Sequence, residues 1–276
     1  MTPPTQPRTL IPIGGALDID RAGVIWRTFI ERAGGRRGRF VIIPTASALP
    51  DTAQRHIDAL RAAGVRTHPI GLPLRTRADA HERSAVAAIN RATGIFITGG
   101  NQVRLTATLG GTPVLDALLD AYQRGAVIAG SSAGAACLSA VMIAFGKDGA
   151  TPRQSIAQFA PGLGFTSRVI IDQHFRQRDR LGRLLLAVAQ QPGTIGLGVD
   201  ENTAAMIEDD RTVTVIGQSA VTIVDGARMT ATDVAEVVGA NPIGVCDVRV
   251  HVLTHAGTFD LDQRIAALPV KTLTTD

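Results

Sequence analysis

Short apolar segments that alternate with longer amphipathic segments most strongly constrain the fold of this 276-residue chain. The apolar segments have the length of buried β-strands and end at or just before Gly, Pro or Thr: 10–13, 40–43, 95–98 and 126–129. The amphipathic segments carry helical spacing: 19–33, 51–63, 80–92 and 112–122. The last begins favourably with Thr112-Pro113, a threonine cap followed by proline at the first helical position. Strands alternating with helices of this length predict a doubly wound, mostly parallel α/β sheet.

After residue 194 the pattern changes to a β-rich part. Five short strands are predicted, separated by turn residues such as Asp209-Asp210: 194–199, 204–207, 212–216, 220–224 and 248–253. Periodicity leaves open whether these strands extend the first sheet or form a separate layer. Because no linker-like stretch divides the two parts, we expect one domain over 1–276, with frayed ends at 1–8 and 270–276.

Charge and cysteine content exclude several classes of protein. Lysine plus arginine exceed aspartate plus glutamate by 28 − 24 = 4, and the basic residues are scattered, which argues against a nucleic-acid partner. Cys137 and Cys246 lack the spacing of a zinc site or a disulfide framework, so we expect two buried thiols, no metal and no cofactor.

No apolar run approaches the roughly 18 residues of a membrane span, and the N-terminus lacks a signal-peptide pattern. A soluble, cytoplasmic protein without a membrane partner is predicted.

The most informative motif is Gly-Ser-Ser-Ala-Gly at 130–134, between the apolar segment 126–129 and an alanine-rich stretch. A strand, a turn of very small residues and a helix form the nucleophile elbow of many hydrolases, in which the central serine is strained. Ser132 would then be the nucleophile, and the N–H of Ala133 would face the developing oxyanion from the helix N-terminus. Taken alone, the motif fits a plain tight turn equally well.

A second glycine-rich strand end lies upstream of this motif. The segment 95–98 is followed by Gly99 and Gly100, whose bare backbone offers further oxyanion donors. We therefore predict that an N–H of one of these glycines completes an oxyanion hole with Ala133. A plain turn is the alternative interpretation.

His174 is the candidate base for a nucleophilic serine, because it follows the apolar segment 168–171 at a predicted strand end. The chain has five other histidines, and position alone does not separate a base from a structural histidine. Arginines follow at positions 176, 178, 180 and 183. Guanidinium groups pair bidentately with carboxylates, so this cluster indicates a site for substrate carboxylates; a solvated basic helix face is the alternative.

Asp200 and Glu201 place two adjacent carboxylates at another predicted strand end. A Ser-His pair needs a third group that fixes the histidine tautomer and stabilises the imidazolium, and Glu201 is the candidate for that role. An exposed β-turn explains the same spacing equally well.

Four segments in the same order carry a family resemblance: G-G-N-Q-x-R-L at 99–105, G-S-S-A-G-A at 130–135, D-Q-H-F-x-x-R-x-R-x-G-R-L at 172–184 and G-x-D-E-N-T-A at 198–204. Together they resemble cyanophycinases, which are S51-type serine peptidases on a flavodoxin-like, class I glutamine-amidotransferase-like fold. The third segment is the most specific, since many hydrolases share the elbow. The resemblance spans 10–225.

This resemblance implies hydrolysis of cyanophycin, a poly-aspartate backbone carrying arginine on each β-carboxylate, to β-aspartyl-arginine dipeptides by an exo-acting homodimer. Carried over by position, Ser132 is the nucleophile, His174 the base and Glu201 the third member of a triad. Six further residues match substrate-binding positions: Gln102, Asp172, Gln173, Arg178, Arg180 and Arg183. In this allocation the arginines bind substrate carboxylates, and Asp172 meets a substrate guanidinium.

Two positions depart from the family pattern. The family shows G-T-S-A-G and G-G-D-Q where this chain has Ser131 and Asn101. Ser131 keeps the hydroxyl of the family's threonine. Asn101 lacks the charge of the family's aspartate beside the proposed oxyanion hole, and this difference alters specificity if the aspartate binds substrate arginine. The segment 142–161 does not align with the family and is expected to lie over the site, where it would decide substrate choice.

Two other functions remain open. An aspartyl dipeptidase of the same S51 type, acting on small aspartyl peptides, would share the elbow without needing the dense arginines. A non-catalytic binding module on the same fold would keep the elbow and hydrolyse nothing. Glutamine amidotransferase activity is disfavoured, because its usual nucleophile is cysteine and position 132 is serine.

Overall fold

The computed structural model describes residues 7–19 and 23–269. Its helices are α1 Val24–Arg32, α2 Thr52–Ala62, α3 Arg83–Arg91, α4 Gln102–Leu109, α5 Pro113–Gln123, α6 Ala133–Ala136 and α7 Leu181–Gln190. Its strands are β1 Thr9–Ile13, β2 Phe40–Ile43, β3 Ile70–Gly71, β4 Gly94–Ile97, β5 Val127–Ser131, β6 Val141–Gly146, β7 Ala157–Pro161, β8 Val169–Gln173, β9 Ile195–Val199, β10 Thr203–Glu208, β11 Thr212–Gly217, β12 Val221–Asp225, β13 Ala231–Thr232, β14 Val245–Cys246, β15 Arg249–Leu253, β16 Thr258–Asp260 and β17 Ile265–Ala267. Short 3-10 turns lie at Gly35–Arg37, Asp79–His81 and Arg176–Arg178.

Within the described residues, the main sheet has nine strands in the order β17-β16-β11-β10-β1-β5-β4-β2-β3. β1 to β5 are parallel because helices connect them in sequence. β10, β11, β16 and β17 continue the sheet beyond β1 as antiparallel strands. Side chains alternate between the faces: Ile11 and Ile13 pack with Trp26 of α1, whereas Leu10 joins the core on the other face. The predicted doubly wound α/β fold is confirmed.

The second sheet contains four of the described strands in the order β15-β12-β9-β8, of which β8 and β9 are parallel. Its inner face joins the core of the main sheet, since Leu197 and Ile223 belong to the same buried cluster as Ile97. Leu184 and Val188 of α7 cover the outer face. The β-rich part therefore extends the main sheet and also forms a separate layer. Because the layers share one core, we propose that they form the single domain expected from the sequence.

The segment 142–161 forms most of an antiparallel hairpin of β6 and β7. The pairing register shifts between Ile143 and Phe145, which marks a β-bulge. β6 lies against β8, so the hairpin stands beside the strand that precedes His174. Its expected place over the predicted site is confirmed by the cavity described below, which residues 144–146 help to line.

Several predicted boundaries differ from the structure. The helix expected over 19–33 is described from Val24, with 20–22 outside the described residues. The segment 80–92 is split, because extended backbone at Glu82 separates a 3-10 turn from α3. Arg8, expected to be frayed, donates its N–H to Oδ1 of Asp209 at 3.0 Å, which fixes this end of β1. Residues 1–6 and 270–276 of the predicted frayed ends lie outside the described residues.

The two cysteines have different environments. Cys137 is buried as expected, whereas Cys246 is exposed because it lies on the small β13–β14 pair outside the shared core, so the prediction of a second buried thiol is wrong. Over 7–19 and 23–269, no helix combines the length and apolarity needed to cross a membrane. In the same residues, no cluster of three or more His, Cys, Asp or Glu side chains has the arrangement of a metal site.

Candidate active site

The turn between β5 and α6 holds Ser132 in a backbone conformation that residues with side chains rarely adopt, with φ of 54° and ψ of −114°. β5 ends at Ser131 and α6 begins at Ala133, so the strand enters the helix through this one residue. The turn requires small neighbours, because a Cβ on Gly134 would lie 2.3 Å from the carbonyl oxygen of Ile97. A strained turn of this kind presents the serine hydroxyl at the end of the sheet.

His174 and Glu201 come from the second sheet. β8 ends at Gln173 and β9 at Val199, and these parallel neighbours bring their carboxyl ends together. Nε2 of His174 is 3.0 Å from Oγ of Ser132, and Nδ1 of the same ring is 2.6 Å from Oε1 of Glu201. A continuous hydrogen-bonded chain therefore crosses from the main sheet to the second sheet.

The loop after β1 fixes the position of the histidine. The N–H of His174 donates to the carbonyl of Gly14 at 2.7 Å, and the N–H of Asn202 donates to the carbonyl of Gly15 at 2.9 Å. Gly15 has a φ of 104°, and a Cβ there would lie 2.3 Å from Cε1 of the His174 ring. Glycine at position 15 is therefore a condition for this placement of the ring.

Asp200 holds the loop that carries Glu201, and it does not contact the histidine ring. Its Oδ1 accepts from the N–H of Arg176 at 3.0 Å, and its Oδ2 accepts from the hydroxyl of Ser219 at 2.7 Å. The N–H of Glu201 donates to Oε1 of Gln177 at 3.1 Å. The two adjacent carboxylates thus have different partners: the buried carboxylate of Asp200 holds the loop backbone, and the carboxylate of Glu201 bonds to the His174 ring.

Burial lowers the pKa of His174 below the 6.5 of an ordinary histidine. The hydrogen bond and charge of Glu201 raise this pKa, whereas the charges of Arg178 and Arg180 lower it. Together with burial, these effects leave the pKa of His174 lowered. The ring is therefore neutral at neutral pH. When Nδ1–H donates to Glu201, the lone pair on Nε2 is left to accept the proton of Ser132.

The predicted oxyanion donors lie around the serine. Gly99 is adjacent, since a Cβ built on it would lie 3.2 Å from Cβ of Ser132. Ala133 is the first residue of α6, so its N–H has no acceptor within the helix. In the part of the chain that the structure describes, no backbone carbonyl accepts from the N–H of Gly100. Backbone donors are thus available beside the hydroxyl for an anionic oxygen.

A cavity of about 490 Å³ opens over Ser132. Much of its wall is formed by amide and guanidinium side chains: Gln102, Gln173, Arg178, Arg180 and Arg183. Residues 144–146 of the β6–β7 hairpin complete another part of the wall. Five of the six residues predicted to bind substrate therefore share one cavity with the predicted nucleophile.

The sequence model of peptidase family S51 matches residues 10–216, which is most of the chain. The chain belongs to peptidase family S51. It is therefore a serine-type peptidase, and the family predicted from the four sequence segments is confirmed.

Two similar S51 proteins bear the name cyanophycinase. The one from Synechococcus elongatus is 41% identical over 254 residues, which cover 91% of this chain and 79% of that protein. The one from a Nostoc species is 38% identical over 265 residues, which cover 95% of this chain and 89% of that protein. A solved peptidase from an acI-B1 actinobacterium shares the fold, with a TM-score of 0.61 and 22% identity over 88% of this chain and 96% of that one.

In this S51 peptidase, Asp172 lies behind the cavity wall. Its side chain is 1% exposed, and both carboxylate oxygens accept from Arg183, with Nε to Oδ2 at 2.6 Å. The prediction that Asp172 meets a substrate guanidinium is revised, because the guanidinium that it binds belongs to the protein. The bidentate pair fixes the orientation of Arg183. Removing one partner of a buried pair costs about 3–5 kcal/mol, so Asp172 contributes to the wall by holding it.

Arg180 lies in the cavity wall with most of its guanidinium buried. Its side chain is 7% exposed, and Nη1 donates to the carbonyl of Gln173. Nε is buried without a hydrogen-bond partner among the described residues, since Oδ1 of Asp148 is 3.6 Å away, too far for a hydrogen bond. Burial and the charge of Arg183 lower the pKa of Arg180. The positive charge of Arg180 in the cavity wall favours an anionic group in the cavity.

Asn101, where the resemblance to cyanophycinases leads us to expect aspartate, directly precedes α4. Its Oδ1 accepts from the N–H groups of Val103 at 2.9 Å and Arg104 at 3.1 Å, so it caps the helix. An aspartate would make the same two bonds, and the substitution therefore changes the local charge without changing the helix start. Nε2 of the next residue, Gln102, donates to the carbonyl of Ala144 at 2.7 Å and ties α4 to the hairpin.

Two parts of the site were missed by the sequence-based prediction. Gly15 carries the same signal as Gly99, a glycine pair directly after an apolar strand, and that shared pattern would have marked it. The segment that carries Phe145 was expected over the site, but Phe145 itself carried no such signal, because the bulge that places the ring depends on pairing between β6 and β7.

Proposed function

We propose that this S51 peptidase hydrolyses cyanophycin to β-aspartyl-arginine dipeptides as a serine exopeptidase. The observation that carries the proposal is the hydrogen-bonded chain from Ser132 through His174 to Glu201, which opens into a cavity lined by three arginines. The similarity to proteins named cyanophycinase supports the choice of substrate.

In the acylation step, Oγ of Ser132 attacks the scissile backbone carbonyl carbon, and its proton passes to Nε2 of His174. Glu201 stabilises the resulting imidazolium through Nδ1. The backbone N–H groups beside the serine bind the oxyanion of the tetrahedral intermediate. The proton on Nε2 then moves to the leaving nitrogen as the C–N bond breaks, and the acyl group stays on Ser132.

In the deacylation step, water attacks the acyl carbon and gives one proton to Nε2 of His174. The ester C–O bond breaks, and the same proton returns to Oγ of Ser132. The free carboxylic acid leaves, and the enzyme is restored. The cycle uses side chains and backbone groups of this chain alone.

Substrate recognition follows from the charge of the cavity. Arginine joined through its α-amino group to a β-carboxylate keeps a free α-carboxylate and a guanidinium. Arg178, Arg180 and Arg183 suit the carboxylate, because their positive charges line the same cavity. The homodimer and the cytoplasmic location implied by the resemblance belong to this proposal and stay predictions.

The test is to incubate the purified protein with cyanophycin and, separately, with α-aspartyl dipeptides, and to identify products by mass spectrometry. We expect β-aspartyl-arginine to be released from the polymer. Cleavage of the dipeptides alone would instead support the aspartyl dipeptidase alternative. If neither substrate is cleaved, the binding module becomes the better interpretation.

The pH dependence of kcat/KM is expected to show an acid limb below the pKa of an ordinary histidine. Only neutral His174 accepts the serine proton, so the rate rises with pH as the ring loses its proton, and burial lowers the pKa at which this occurs. The profile of kcat/KM reports the free enzyme and is measured on the substrate that the first test establishes.

Two charge variants provide opposite controls. Glu201→Gln removes a group that raises the pKa of His174 and should move the acid limb to lower pH, along with a slower plateau. Arg178→Gln removes a cation that lowers the same pKa and should move the limb to higher pH. If both variants move the limb the same way, another group is the base.

A further inference from the structure

A second cavity of about 260 Å³ adjoins the active-site cavity and shares Phe145 and Gly146 with it. The rest of its wall belongs to the same hairpin and its loop: Lys147, Ser155, Ile156, Ala157 and Gln158. We propose that this second cavity binds the arginyl group of a neighbouring repeat of the polymer, with the guanidinium on the face of Phe145 and the carboxylate near Lys147. The inference rests on the proposed function and adds the part of the site that distinguishes a polymer from a dipeptide.

Phe145 is placed as a binding surface. Its side chain is 55% exposed, whereas Phe96 and Phe259 are fully buried. A large ring left in water forgoes the stabilisation that burial supplies, so its exposure at the boundary of two cavities favours a ligand-binding role. The ring presents an apolar face with a negative quadrupole, which attracts cations.

The β-bulge of the hairpin directs this ring away from the core. Ile143 pairs with Phe159, and the next paired residue, Phe145, lies opposite Gln158. In a regular strand, residues 143 and 145 would share one face. Ile143 and Ala144 are both buried, so the extra residue turns the aromatic side chain outward. Bulges next to active sites commonly re-aim a side chain in this manner.

The charges around the two cavities favour an aromatic contact for a substrate guanidinium. Among the described residues that line either cavity, none carries a carboxylate. Oδ1 of Asp148, a nearby carboxylate, lies 3.6 Å from Nε of Arg180 and therefore already faces a guanidinium of the protein itself. The face of Phe145 therefore suits a guanidinium, and the ammonium of Lys147 suits the carboxylate of the same arginyl group.

The test compares kcat/KM for oligomers of two, three and four β-aspartyl-arginine repeats. With the unchanged protein, kcat/KM should rise by roughly three- to five-fold at the length whose added repeat reaches the second cavity, the size expected of a partly exposed cation–π contact. Phe145→Leu keeps the apolar bulk but removes the aromatic face, and we expect it to abolish this rise. Phe145→Tyr should retain it.

Charge variants of the same loop complete the design. Lys147→Gln should reduce the rise with length. Arg153→Gln removes the same charge nearby, from a residue that donates to the carbonyl of Ala240 at 2.9 Å and lines neither cavity, and should preserve the rise. Each rise is the ratio of two kcat/KM values measured on the same preparation. A smaller fraction of folded protein lowers both values equally and leaves the ratio unchanged.

The outcomes separate this inference from the proposed function. An equal rise in Phe145→Leu and the unchanged protein would overturn the cation contact, and an unchanged rise in both Phe145→Leu and Lys147→Gln would overturn the subsite. A protein that cleaves every length equally well also contradicts it. Failure of the unchanged protein to cleave any oligomer would sink the proposed function itself.

Discussion

Replacing Ser132 with alanine is expected to lower kcat on cyanophycin by roughly a million-fold, because the substitution removes the atom that is proposed to form the acyl intermediate. The oxyanion donors and the arginine-lined cavity remain, so a residual rate of the order of 10³–10⁴ over the uncatalysed reaction should persist. Single-turnover experiments with enzyme in excess, followed by mass spectrometry of the released dipeptide, measure this residual rate.

Ser131→Ala is the matched control. Ser131 is the adjacent serine, buried at the end of β5, and its hydroxyl lies outside the chain of hydrogen bonds that reaches Glu201. We expect its rate to stay near that of the unchanged protein. A near-native rate in Ser132→Ala, or an equal loss in both variants, would show that the nucleophile is another residue.

Replacing Gly15 with alanine is expected to lower kcat by roughly a hundred-fold or more, the effect of displacing a catalytic group by about 1 Å. The added Cβ would lie 2.3 Å from Cε1 and 2.4 Å from Nε2 of His174, so the ring has to move away from the serine. Steady-state kinetics on cyanophycin measure the loss, and KM should change less than kcat.

Gly111→Ala separates backbone strain from the effect on the ring. Gly111 also has positive φ, at 65°, but a Cβ there meets no described atom within 4 Å. Both variants should lose stability in urea unfolding, of the order of 1–3 kcal/mol for a residue held at positive φ. Only Gly15→Ala should lose its rate; an unaffected rate there would mean that the ring has room to shift without consequence.

The sequence predicts the parts of this fold that depend on local patterns. β2 was placed at its observed bounds, and the Thr112-Pro113 helix start is confirmed, because apolar periodicity and capping chemistry act over a few residues. Helix α4 was not predicted, since its eight residues begin two positions after the glycine pair and carry no distinct apolar stripe. The division of the β-rich part between two sheets depends on long-range pairing, which periodicity does not contain.

The candidate site divides in the same way. The positions of Ser132, His174 and Glu201 at strand ends follow from sequence, and their roles as a triad stay predictions. The role of Asp172 was misjudged, because its position beside a substrate pocket does not reveal that Arg183 occupies both of its oxygens. Which charged side chains of the protein pair with each other can be read only from the folded structure.

Ser132 follows a strand of the main sheet, whereas His174 and Glu201 follow strands of the second sheet. The alignment of the three side chains therefore depends on the relative position of the two sheets. Ile97 of the main sheet and Leu197 of the second sheet are buried in one core cluster, so we expect the packing between the layers to influence the 3.0 Å distance from Nε2 of His174 to Oγ of Ser132. Interiors are close-packed, so we expect trimming one methylene among these side chains to alter catalytic geometry as well as stability. The core on the other face of the main sheet, under α1 and α2, does not lie between the proposed catalytic residues, so we expect substitutions there to change stability more than rate.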